Sequence, residues 1–112
     1  MIVRPLSQTL NALILVTEET LTRPARYRTM AHDPAFGALA AEIRAADARP
    51  AVGKRCTRIA VAVVNVLEEF FAGDLDPRSR LLCCLGALLP DLRDQAWTAI
   101  GQEKAEQQET RR

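Results

Sequence analysis

Apolar residues recur at helical spacing over most of the chain. Residues three, four and seven positions apart lie on the same side of an α-helix, so this spacing marks a face that packs against a core. It predicts one helix over residues 5–20 and another over residues 34–47. The apolar positions that trace these two faces are Leu6, Leu10, Leu13, Ile14 and Leu21 in the first, and Phe36, Leu39, Ala40 and Ile43 in the second.

Proline, aspartate and glycine mark the boundaries between the predicted helices. Asp33-Pro34 and Asp76-Pro77 are typical helix starts, because aspartate accepts hydrogen bonds from free amide groups and proline has no amide hydrogen to leave unpaired. Gly73 is a typical residue for a helix end. Together with Pro90, these signals predict helices over residues 54–71, 77–89 and 90–101, a loop over 48–53 and a short helical turn over 24–31.

The segment IAVAVVNVL, residues 59–67, could form either a buried strand or a helix. We interpret it as helix, because the alternating alanines and the continuation into Glu68 and Glu69 make it longer than an ordinary strand. The sequence therefore predicts an all-α protein, a compact bundle of about five helices plus one short helical turn. We expect one helical domain over residues 1–101, followed by a polar tail over 102–112 that is solvated, frayed or disordered.

Composition narrows the class of protein. Hydrophobic residues make up 48% and charged residues 26% of the 112 positions, and the net charge is +1, which argues against a disordered chain or a strongly basic one. No run approaches the roughly 18 apolar residues that a membrane helix needs, and the N-terminus resembles no signal peptide.

Three cysteines without a C-x-x-C pair predict neither disulfides nor a zinc site. We expect a cytoplasmic protein.

The stretch LLCCLGALLPD, residues 81–91, contains two adjacent cysteines, Cys83 and Cys84. Free cysteine is among the most buried residue types, so we expect both thiols to lie in the core. A metal site would need further ligands, and the single histidine, His32, lies at a different predicted boundary. We expect no metal, no cofactor and no enzymatic activity.

Two segments have few polar side chains for helices of so small a bundle. Residues 59–67 contain one polar residue, Asn65, and residues 81–89 contain none beyond the two thiols, whereas a surface helix usually has a polar face. Either another protein or a second copy of the chain covers part of this surface, or the turn at 24–31 and the first helix cover it. The first alternative predicts an interaction module, such as an adaptor, an inhibitor or an accessory subunit. Its interface candidates are Val61, Val64, Asn65, Leu82, Leu85, Leu89 and Trp97.

Nucleic-acid binding is the alternative function, because two stretches, residues 23–28 and 49–58, are rich in arginine. Cations there could contact phosphates while Tyr27 stacks on a base. Residues 1–58 contain nine Lys or Arg against five Asp or Glu, and residues 59–112 contain six against nine, so the halves differ in charge. The candidate residues are Arg23, Arg26, Tyr27, Arg28, Arg49, Lys54, Arg55 and Arg58.

Overall fold

A computed structural model describes residues 5–23, 34–48, 54–72 and 80–110, and these residues are helical apart from Pro5 and Arg23. This confirms the predicted all-α class. The described part contains four helices, fewer than the five expected. They are α1 (Leu6–Thr22), α2 (Pro34–Ala48), α3 (Lys54–Ala72) and α4 (Arg80–Thr110).

The first three helices begin and end close to the predicted boundaries. α1 follows Pro5 and ends before Arg23, α2 begins at Pro34, and α3 begins at Lys54. The segment 59–67 is helical, as predicted, and lies within α3. The predicted short turn at 24–31, the loop at 48–53 beyond Ala48, and the caps Asp33 and Asp76 lie outside the described residues.

The predicted boundary at Pro90 is wrong, because α4 is one helix of 31 residues that runs through this proline. Nor does the helix end at Gly101: residues 102–110, expected to form a polar tail, are its last turns. Burial explains the continuity. The buried residues of α4 are spaced alternately three and four apart on both sides of the proline, so one straight face packs against the core. These residues are Leu82, Leu85, Leu89, Leu92, Ala96 and Ala99.

α4 packs against α1 and α3, while α2 packs against α3 and α1. Two contacts show that α1 and α4 run antiparallel. The Ser7 hydroxyl donates a hydrogen bond to Glu103 Oε2 at 2.6 Å, and Arg93 Nη2 pairs with Glu18 Oε1 at 2.7 Å. The contact between Ser7 and Glu103 also attaches the C-terminal turns of α4 to the start of α1.

The core is aliphatic, with aromatic side chains grouped at one end. Phe36 of α2 meets Phe71 of α3 edge to face, with ring centroids 5.2 Å apart, and Phe70 adjoins Phe71. Buried hydroxyl groups have partners, as burial in an apolar interior requires. The Thr57 hydroxyl, for example, donates to Asp47 Oδ1 at 2.9 Å and so links α3 to the end of α2.

Candidate functional site

The outer side of α4 is apolar over three turns. Between residues 81 and 90 the exposed positions are all uncharged: Cys83, Cys84, Gly86, Ala87 and Pro90. Trp97 is 72% exposed and lies two turns beyond Pro90, past the exposed charged residues Asp91, Arg93 and Asp94. We call the five uncharged residues together with Trp97 the α4 patch. Single exposed apolar side chains are common on soluble proteins, but contiguous apolar surface is typical of an interaction site.

The expectation that Cys83 and Cys84 lie in the core is wrong, because both thiols are exposed. Their neighbours Leu82 and Leu85 are buried and fix which side of α4 faces the bundle. Successive residues of a helix point about 100° apart, so the two positions between these leucines turn towards solvent. The run LLCCL could not reveal this orientation, since every residue in it is apolar or nearly so.

The structure divides the interface candidates into two groups. Core positions are occupied by Val64, Leu82, Leu85 and Leu89, and Val61 is partly buried against them. Asn65 is exposed and accepts a hydrogen bond from Arg44 Nη2 at 3.0 Å, so a partner within the chain satisfies its amide oxygen. Trp97 is the one candidate that offers a large exposed apolar surface.

Leu15 of α1 is a second large apolar side chain at the surface, being 59% exposed. The contacts of Ser7 with Glu103 and of Glu18 with Arg93 fix how α1 and α4 align. Interpolating between these contacts places Leu15 level with residues 95 and 96, within a turn of Trp97 along the bundle axis. The two large exposed apolar side chains of the described residues therefore lie at the same height.

A groove of about 630 Å³ lies between α2 and α3, away from the α4 patch. Arg44 crosses it and pairs with Glu68, while its other contact is to Asn65. The lining mixes apolar and charged groups: Phe36, Gly37, Ala40, Arg44, Asn65, Glu68, Glu69 and Ala72. Both ion-pair partners are about half exposed, so the pair contributes little to stability and chiefly joins the two helices at the surface.

The described residues contain no cluster of three His, Cys, Asp or Glu side chains that could hold a metal ion. Across the same part of the chain, no helix has the length and apolar character needed to span a membrane. His32 lies outside the described residues.

Few of the nucleic-acid candidates are described. Arg23, at the end of α1, and Arg58, on α3, are exposed. Lys54 and Arg55 belong to the first turn of α3, but their side chains lie outside the described residues, as do Arg26, Tyr27, Arg28 and Arg49. Whether the two basic stretches form one surface stays a prediction.

Sequence reasoning missed Gly86, Ala87 and Pro90 as surface residues of one helix. A signal was present: Leu85, Leu89 and Leu92 keep the alternating spacing of four and three across Pro90. Extending that pattern would have shown both the continuous helix and the side of it that faces outward.

Comparisons with protein-family models, with curated proteins and with solved structures find no match. The function is therefore inferred from the residues of this chain alone.

Proposed function

We propose that this protein is a non-enzymatic interaction module that docks another protein chain through the α4 patch. The observation that carries the proposal is the absence of any charged side chain among the exposed positions of α4 between residues 81 and 90. A helix on the surface of a bundle normally exposes charged or polar groups on its outer side. A helix side without charged or polar groups is poorly solvated and suits contact with another apolar surface.

The shape of the patch favours a helix as the docked element. Cys83, Gly86 and Ala87 have small side chains, which let a second helix approach closely. Trp97 is the large side chain of the surface, and aromatic anchors of this kind dominate the energetics of many interfaces. Between residues 81 and 90 a docked protein would cover only uncharged exposed groups, so no ion has to be removed from water there, whereas the exposed Asp91, Arg93 and Asp94 lie between this stretch and Trp97.

The class of function that follows is an adaptor, an inhibitor or an accessory subunit, without a cofactor. Two adjacent exposed thiols are compatible with a reducing compartment, which supports a cytoplasmic location. Nucleic-acid binding by the arginine-rich stretches is the alternative, and it predicts contacts on a different part of the chain.

Site-specific photo-cross-linking tests the docking site. We expect a photoreactive amino acid at Ala87 to cross-link to protein when the purified chain, or an extract of its source cells, is irradiated. The matched control is Ala45, an exposed alanine on α2, where the same group should give little cross-linked protein.

Two outcomes would contradict the proposal. One is equal cross-linking from positions 87 and 45, which would mean that contact at Ala87 is random collision. The other is cross-linking at position 87 to nucleic acid, or to nothing, in both the purified sample and the extract.

A further inference from the structure

We propose that the occupant of the α4 patch is a second copy of this chain, whose α4 packs antiparallel to the first across a two-fold axis at Ala87. This inference rests on the proposed function, because it names the partner that the patch receives. It is carried by the distribution of charge on either side of Ala87.

One positive and one negative side chain lie at equal distances from Ala87 on the same side of α4, and a second exposed acid, Asp91, lies one turn before the negative one. Arg80 lies seven residues before Ala87 and Asp94 seven residues after it, and both are exposed. Seven residues make nearly two helical turns, so all three lie on one side of α4, with each charge about 10 Å from Ala87. Neither Arg80 nor Asp94 has an ion-pair partner among the described residues.

This spacing matches what a two-fold axis requires. Rotation about an axis at Ala87 places Arg80 of each copy level with Asp94 of the other, so the same ion pair forms twice. A parallel arrangement in the same register would instead bring Arg80 against Arg80 and Asp94 against Asp94. The charges therefore favour the antiparallel direction and specify the register, as complementary charges commonly do at the edge of an apolar interface.

The small residues between the two charges allow the helices to approach. Gly86 points about 100° away from Ala87, and a Cβ atom built there would meet nothing within 4 Å, so it borders the seam without facing its centre. Cys83, Cys84 and Pro90 would then pack around Ala87 in the shared seam.

Charge reversal tests the pairing directly. We expect light scattering during size exclusion, at about 100 µM chain, to give twice the 12.4 kDa chain mass for the unaltered protein. Arg80→Asp places two acids opposite each other, and Asp94→Arg places two cations opposite each other. Each variant alone should dimerise at least tenfold more weakly. Mixed in equal amounts, they should form a heterodimer, because every unlike pair is restored.

The matched control is Arg58→Asp, which makes the same change in charge at an exposed position of α3 and should leave the dimer intact. Circular dichroism checks that every variant keeps its helices. The proposal is overturned if the unaltered chain is a monomer at this concentration, or if its dimer is indifferent to both reversals. In either case, a cross-link from Ala87 to a different protein in the extract would leave the proposed function standing, with a different partner.

Discussion

Replacing Leu85 by alanine should lower the free energy of unfolding by about 2–5 kcal/mol, whereas replacing its neighbour Cys84 should change it by less than about 0.5 kcal/mol. Leu85 is 0% exposed and belongs to the face of α4 that packs into the bundle. Its truncation removes buried methyl groups and leaves a cavity that the surrounding helices fill only partly. Cys84 is exposed, so its thiol makes few contacts that alanine would lose.

Urea denaturation of Leu85→Ala and Cys84→Ala measures this difference. Both variants should be made in the Arg80→Asp background, so that association of two chains does not add to the measured stability. Similar losses for the two variants would mean that α4 is rotated relative to its described orientation, with the thiols facing the core. This comparison therefore tests the orientation on which the α4 patch depends.

Replacing Pro90 by alanine should raise the free energy of unfolding by about 1–3 kcal/mol. Proline in a helix interior donates no hydrogen bond to the carbonyl group four residues earlier, and its ring crowds that carbonyl group. Pro90 lies inside α4 and is exposed, so its ring contributes little to the core in compensation. Alanine would restore the missing hydrogen bond to Gly86.

Gly101→Ala is the control for this measurement, because it also improves an exposed position of α4 where a Cβ atom meets nothing within 4 Å. Gly101→Ala should raise the free energy of unfolding by only about 1 kcal/mol, which is the ordinary difference between glycine and alanine in a helix. Pro90→Ala would contradict the expectation if it were neutral or destabilising. Proline at this position would then be needed for α4 to pack against both α1 and α3.

The helix boundaries that could be predicted from the sequence are those where local chemistry and burial agree. Pro34 begins α2 because proline suits a first turn, and the apolar spacing that starts at Phe36 supplies a buried face just after it. Lys54 begins α3 directly after Gly53, a residue that favours a break between helices, and the apolar pattern resumes within the helix at Ile59. At these places the local signals are sufficient without knowledge of the tertiary structure.

Local signals failed where they disagreed with burial. Pro90 resembles a boundary, yet the loss of one helical hydrogen bond is small beside the burial of Leu89 and Leu92 on either side of it. The general behaviour of cysteine predicts that Cys83 and Cys84 lie in the core, whereas both are exposed. Their orientation depends on how α4 meets α1 and α3, which is a tertiary property.

The α4 patch was foreseen only in general terms. The lack of polar residues in segment 81–89 indicated that some apolar surface would need a cover. The leucines turned out to be buried within the chain, and the smaller residues between them form the exposed surface. Composition could indicate that the surface exists, whereas its position required the packing of the bundle.

The central claim is that two α4 helices meet at Ala87, and a disulfide at that position tests it most directly. Helices packed about 8–10 Å apart bring facing Cα atoms at the axis within about 5 Å, a separation that a disulfide can bridge. Ala87→Cys, in a chain carrying Cys56→Ala, Cys83→Ser and Cys84→Ser, should form a covalent dimer in a glutathione redox buffer. The account predicts this dimer on a non-reducing gel and none from Ala45→Cys in the same background. Absence of the dimer at position 87, or equal amounts from both positions, would contradict it.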